Sequence, residues 1–266
     1  MSMNAEVLLL TQNPIERITI SGKPGRQDRT HAMITLLLVS LFALAPEVGE
    51  IPSEFAVRWS RDSDGFRSES ISVRPDGTVN YTSMGCFNCW SSTGSAKIND
   101  GRMKLSLMPE RAGFHTEFVL VPWGDRRYLI ANDEAKTFCN AVNQGRAQRT
   151  GYREFFTRRP DCNKKVDGLP SVPRTWQAFL LPTPINGEMI EISTDNRAEI
   201  NLGRLNGVFE GMELFADSDE IPLEVVKVDD NKCTVVSAFK VKGVGWAKGR
   251  KITSRPTEFR YGIIRR

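Results

Sequence analysis

Apolar and polar positions alternate over short stretches between residues 53 and 131, and clusters of Gly, Pro, Asp and Asn interrupt the alternation. This period of two predicts half-buried strands. The stretches are Phe55-Ala56-Val57-Arg58-Trp59, Ser70–Val73, Thr78–Tyr81, Ala96–Ile98, Met103–Leu107, Phe118–Trp123 and Arg127–Ile130. Three of the breaks carry turn chemistry. Arg74-Pro75-Asp76-Gly77, Asn99-Asp100-Gly101 and Gly124-Asp125 each place Gly where a hairpin needs positive φ. Three successive hairpins predict an antiparallel meander or small barrel over residues 53–160. Trp90-Ser91-Ser92-Thr93-Gly94 reads as loop. One helix, 132–144, follows the meander: Asn132 is its expected N-cap, Asp133 and Glu134 suit its positive end, and Phe138, Cys139, Ala141 and Val142 form its apolar face. Gly145 suits the position just past its end.

Prolines at 160, 170, 173, 182 and 184 mark residues 161–185 as a linker, although Trp176, Phe179, Leu180 and Leu181 predict that it packs along a domain. Alternation resumes over 186–255: Glu188–Ile192, Ala198–Leu202, Met212–Ala216, Leu223–Val228, Cys233–Ser237 and Lys251–Thr253. Five or six strands in so short a span predict a second small β-barrel, so the expected class is mainly β. Residues 256–266 form a basic tail.

The run Ile200-Asn201-Leu202-Gly203, Asn206-Gly207-Val208, Gly211-Met212-Glu213-Leu214 resembles that of small bacterial envelope β-barrels. Similar runs occur in rod-shape-determining protein C and in the C-terminal domain of flagellar assembly protein T. The resemblance covers about 70 residues and implies a scaffold without catalysis. The tract from Phe118 to Arg146 is similar to segments of uncharacterised secreted bacterial proteins, which implies the cell envelope.

One long apolar run stands apart, Ala32 to Ala45. Its 14 residues fall short of the roughly 20 that span a bilayer. Arg26 and Arg29 precede it, and Ala43-Leu44-Ala45 has the small-x-small pattern of a cleavage site. Residues 1–45 therefore read as a leader, and the expected location is the periplasm or cell surface. Pro46 after the cleavage site and the long stretch before His31 depart from the pattern. They fit a start codon assigned too far upstream, or an uncleaved anchor that would be the chain's only membrane contact. The competing reading is a buried helix of a cytosolic protein.

Composition changes this picture little. The chain has 36 Lys and Arg against 32 Asp and Glu, a net +4, which is too small a surplus to imply nucleic-acid binding by itself. Two histidines, His31 and His115, almost exclude polyhistidine metal sites, and a cut at Ala45 leaves only His115. No phosphate-binding glycine loop is present, so no nucleotide is expected.

Cys86-Phe87-Asn88-Cys89 is the sharpest motif. A Cys-x-x-Cys pair serves redox chemistry, half of a zinc site, or disulfides. In an exported chain, Cys86 or Cys89 is expected to bridge to Cys139 or Cys162, leaving Cys233 unbridged and buried. Zinc remains the alternative cofactor, with Cys86 and Cys89 as two ligands and His115, Cys139, Cys162 or acidic residues as candidates for the others. His115 is the only histidine open to acid–base work, and it reads as a strand-edge residue. Asp62-Ser63-Asp64-Gly65 lacks the rest of a calcium loop and reads as a turn. Asp217, Asp219 and Glu220 read as a solvated hairpin tip. Basic residues gather at 146–165 and again towards the C-terminus, where Lys248, Arg250, Lys251, Arg255 and Arg260 form a candidate patch for an anionic envelope polymer, lipid headgroup, nucleic acid or protein partner. The competing reading is a solvated basic face. The expected function is that of an exported binding or structural protein without catalytic activity, with a thiol-redox or zinc protein centred on Cys86 and Cys89 as the alternative.

Overall fold

Tight turns set the architecture of the first half. The computed structural model describes residues 50–63, 67–193, 196–216, 222–237 and 246–256. Eight antiparallel strands close a barrel in chain order: β1 (Arg58–Ser63), β2 (Arg67–Val73), β3 (Thr78–Met84), β4 (Cys89–Asn99), β5 (Arg102–Met108), β6 (Glu117–Trp123), β7 (Arg126–Ala131) and β8 (Phe156–Thr157). All three expected hairpins are present. At β4–β5, Asn99 faces Arg102, and Asp100 and Gly101 take φ of 50° and 71°. That is the two-residue loop whose twist matches its strands. Two positions differ from the alternation reading. β1 begins at Arg58 rather than Phe55, because residues 52–56 form a turn in which the Phe55 amide donates to the Pro52 carbonyl. Residues 90–94, expected as loop, are strand β4. Their inward positions are Trp90, Ser92 and Gly94 and their outward ones Ser91 and Thr93, so no apolar alternation announces them.

Inward positions of β1–β7 form one core, with Trp59, Ile71, Val79, Tyr81, Met103, Phe118 and Leu129 all sealed from solvent. The interior is thus filled with side chains. Gly94 faces Leu107 of β5, and a Cβ there would lie 1.8 Å from the Ser106 carbonyl oxygen. Gly94→Ala is therefore expected to force β4 from β5 and cost about 1–3 kcal/mol. Thermal unfolding of the variant measures this, and an unchanged midpoint would show that the strands absorb the methyl group.

β6 and β7 are buried on both faces, which explains their near-continuous apolar runs. Their outward residues Val119, Val121, Trp123, Tyr128 and Ile130 pack with helix α1 (Ala135–Asn143) in a second core. The helix is shorter than expected. A 3-10 turn, Asn132–Glu134, precedes it, and neither Asn132 nor any other side chain caps it. Gly145 just past its end takes φ of 78°, as expected. The proline-rich segment is part of this core: Val166, Val172, Trp176, Phe179 and Leu180 all pack into it.

The second barrel closes from β9 (Asn186–Ile192), β10 (Arg197–Ile200), β11 (Glu213–Ala216), β12 (Pro222–Val228), β13 (Cys233–Ser237) and β14 (Lys251–Thr253), in the order β10-β13-β12-β11-β14-β9. Gly203 is demanded by close backbone approach, since a Cβ there would meet the Asp229 carbonyl oxygen at 2.5 Å. The neighbouring amides of Arg204 and Leu205 donate to Asp229 and Asp230 across that contact.

Helix α1 also joins the barrels through polar residues. The Asn140 amide donates to the Gly211 carbonyl (2.8 Å) and the Gln144 amide to Glu213 (2.8 Å). Asn143 donates to the Phe179 carbonyl and accepts from the Leu181 amide, each at 2.9 Å. Among the described residues no helix is long and apolar enough to cross a membrane. The run at 32–45 lies outside them.

Candidate functional site

In an antiparallel meander the connections alternate between the two ends of the barrel. The turns at 74–77, 100–101 and 124–125 occupy one end and are minimal. The connections at 85–88, 109–116 and 132–155 occupy the other and are longer. This loop end collects nearly all the chemistry of the first barrel: Cys86, Cys89, Trp90, Arg111, His115, Asp133 and Glu134.

Its floor is ionic. Arg61 points inward from β1, with its guanidinium 2.5 Å from Glu69 and 2.7 Å from Glu134 and lying over the Phe156 ring. Arg67 is 2.9 Å from Glu69. His115 lies between two carboxylates, Nδ1 at 3.1 Å from Asp133 and Nε2 at 3.3 Å from Glu134. Glu69 is sealed from solvent, whereas His115 and Glu134 are about one-fifth exposed. Tyr81 stacks on Phe114 behind them. Its hydroxyl and Glu134 Oε2 are buried without hydrogen-bond partners among the described residues.

The charges follow from these contacts. The hydrogen bond to Glu134 raises the His115 pKa against burial, and the charge of Glu134 adds to it. Burial alone would raise Glu134, but the His115 bond and the Arg61 charge outweigh it and hold the carboxyl low. Burial and the Glu69 charge push the Tyr81 hydroxyl well above the usual range. Both His115 nitrogens face carboxylates, of Asp133 and Glu134, and Glu134 also meets Arg61, so the cluster ties residues 132–134 to the barrel as an ionic clasp.

The clasp gives stability two edges in pH. The His115 contribution is complete below its unfolded pKa of 6.5 and is lost as pH rises through the higher folded value. The Glu134 contribution is present above its unfolded pKa and is lost as pH falls through the lower folded value. Urea midpoints measured from about pH 5 to about pH 9 should decline at the upper edge for the native chain and lose that decline in His115→Gln. The same decline in both would place the titrating group elsewhere.

Above the clasp, the β3–β4 connection is closed by the Gly85 amide donating to the Asn88 carbonyl (2.8 Å), with Met84 facing Cys89. Cys86 and Cys89 are exposed, Phe87 is wholly exposed, and Met84, Trp90 and Met108 are exposed around them. The Arg111 guanidinium lies 4.5 Å from the Trp90 ring, and Ser92 Oγ donates to the Pro109 carbonyl (2.7 Å). On the outer wall, a shallow depression of about 430 Å³ is lined by Ser72, Arg74, Thr78, Val79, Asn80 and Thr93.

The expected disulfides are absent. No bridge joins any of the five cysteines. Cys139 is sealed in the second core with its thiol towards the Trp176 carbonyl, and Cys162 is buried with its thiol towards the Arg159 carbonyl. Neither shares a surface with the exposed hairpin tip. Burial pushes the Cys139 thiol up to about 12, and burial with the Glu199 charge does the same to Cys233 in the second barrel. Among the described residues no group of three His, Cys, Asp or Glu could hold a metal ion.

The C-terminal basic patch divides. Lys248 is exposed and Arg250 half-buried, while Lys251 pairs with Glu188. Arg255 is half-buried and donates to the Asn143 carbonyl at 3.2 Å, so it braces the end of α1. Arg260, Asp64, Asp217, Asp219 and Glu220 lie outside the described residues. In the 146–165 cluster, Arg146, Arg153, Arg158 and Lys164 pair with Glu154, Asp62 and Asp161.

Sequence reasoning found Cys86, Cys89 and His115 but missed Arg61, Glu69, Tyr81 and Glu134. A signal existed. Arg61 shares strand parity with Trp59, and Glu69 shares it with Ile71 and Val73, so two charges stand on the apolar faces of adjacent strands. Comparison of the chain with protein-family models, curated proteins and solved structures gave no match.

Proposed function

We propose that the protein is an exported, non-catalytic binding or structural component of the bacterial cell envelope. The observation that carries this reading is the first barrel's loop end: its interior is filled and clasped, and apolar side chains are displayed outside it. A cavity enzyme encloses its substrate in a concave pocket. Here the display faces outward, which suits contact with a partner surface. The apolar run at 32–45 supports export, and the resemblance to small envelope barrels supports a scaffolding role.

Fractionation of a bacterial host making the full chain tests the location. The protein is expected in the periplasmic or membrane fraction, and deletion of residues 32–45 is expected to retain it in the cytosol. A soluble cytosolic full-length product beginning at Met1 would overturn export. For the partner, the exposed Lys248 and the basic tail favour an anionic envelope polymer. Co-sedimentation with purified cell-wall polymer should weaken steeply with salt, because charged contacts are screened within about 10 Å at 0.1 M. Salt-independent sedimentation would point instead to a protein partner at the apolar loop end.

A second reading is favoured by one observation, the joint exposure of Cys86 and Cys89 on a closed hairpin tip. It makes the protein a thiol or zinc protein at that tip.

A further inference from the structure

We propose that the β3–β4 hairpin tip is half of a tetrathiolate zinc site, completed by the same tip of a second copy of this chain. The inference rests on the second reading above and adds the stoichiometry and the partner.

The ligand count leads to the second copy. Structural zinc takes four ligands in a tetrahedron, and Cys-x-x-Cys supplies two of them at the spacing used in such sites. Cys86 and Cys89 are both exposed on one closed loop, whereas Cys139 and Cys233 are buried in other cores and Cys162 is buried beside the Arg159 carbonyl. Among the described residues no third ligand stands beside the pair. A half-site of two ligands is self-complementary under a two-fold axis, the commonest symmetry of protein oligomers.

The surroundings suit that contact. Phe87 stands between the two thiols in sequence and is wholly exposed, with Met84 and Trp90 exposed beside it. A two-fold approach of two tips would bury these side chains against their mates. Charge is also met. When zinc binds, four S–H bonds break, four protons leave, four Zn–S bonds form, and the site carries a net −2. Each copy brings one guanidinium to this end of the barrel, Arg111, held on the Trp90 ring, and its buried Nε has no hydrogen-bond partner among the described residues. Two copies would supply +2.

The test uses the full chain, reduced and kept under inert gas, titrated with zinc chloride. Light scattering after size exclusion and elemental analysis are expected to show a dimer holding one zinc per two chains, which EDTA returns to monomer. Cobalt(II) in place of zinc should give the strong thiolate-to-metal absorption of a tetrahedral thiolate site. Cys86→Ser and Cys89→Ser should each lose the metal and the dimer with an unchanged circular dichroism spectrum, since both residues are exposed. Phe87→Asp should weaken the dimer and leave the fold intact. A monomer that binds one zinc per chain would overturn the shared site and leave the zinc reading standing. A monomer that binds no zinc or cobalt would overturn both. A dimer that survives EDTA and falls apart only with reductant would be disulfide-linked, and it too would overturn the zinc site.

Discussion

Arg61→Met is expected to lower the free energy of unfolding by about 3–5 kcal/mol, the range for removing one partner of a buried charge pair. The arginine sits inside the first barrel, and its side chain and that of Glu69 are almost wholly buried. Methionine approximates its aliphatic length but leaves Glu69 with Arg67 alone and Glu134 with His115 alone. The cost comes less from the lost attraction than from the desolvated carboxylate that stays behind. Arg61→Met combined with Glu69→Leu should therefore recover much of the loss, because the orphaned charge is gone. Urea unfolding of both variants, read at constant m-value, measures this. A single variant within about 1 kcal/mol of the native chain would show that water reaches Glu69, since solvated pairs contribute about that much or less.

Arg126→Met is expected to cost about 3 kcal/mol or more for a different reason. Arg126 is sealed on the outer face of β7. It donates to the carbonyls of Lys164 (2.6 Å), Ala147 (2.9 Å) and Gln148 (3.2 Å) and to the Tyr128 hydroxyl (3.0 Å). One side chain thus ties the irregular segment after α1 to the barrel at three carbonyls. Tyr128 still donates to Ala147 in the variant, but the Lys164 and Gln148 carbonyls lose this donor. A buried acceptor left unmet costs about 1–3 kcal/mol. Hydrogen exchange should rise first in residues 146–166 and spread least to the second barrel. Unchanged exchange there would show that the segment is held by its apolar contacts, Phe155 and Val166, alone.

The strands and hairpins were legible where the information is local. Pro75-Asp76-Gly77, Asp100-Gly101 and Gly124-Asp125 specify their turns through φ preferences that need no distant partner. The six strands of the second barrel were legible for the same reason, because each is bounded by its own breakers. β8 was not. It has two residues, Phe156 and Thr157, which become strand only because β1 and β7 leave a gap that they bridge. The 3-10 form of the helix's first turn was not legible, because Asp133 and Glu134 look like helix-dipole partners, whereas His115 and Arg61 recruit them from other elements.

Of the candidate site, the Cys86–Cys89 spacing was visible as a motif, and its placement on an exposed closed tip was not. The bridges expected to Cys139 and Cys162 failed because a count of cysteines carries no information on burial. Asn140 and Asn143 were silent as well: two polar residues of a largely buried helix carry the joint between the barrels only once a second barrel lies against them.

The sequence by itself thus determined the mainly β class, most strands and their hairpins, since alternation and turn chemistry act over a few residues. Only the tertiary structure decided which charges lie inside, which thiols stay at the surface, and that the longer connections share one end of the barrel. Those outcomes depend on strand order and closure, which bring together residues as far apart as Arg61 and Glu134, and no local preference encodes that meeting.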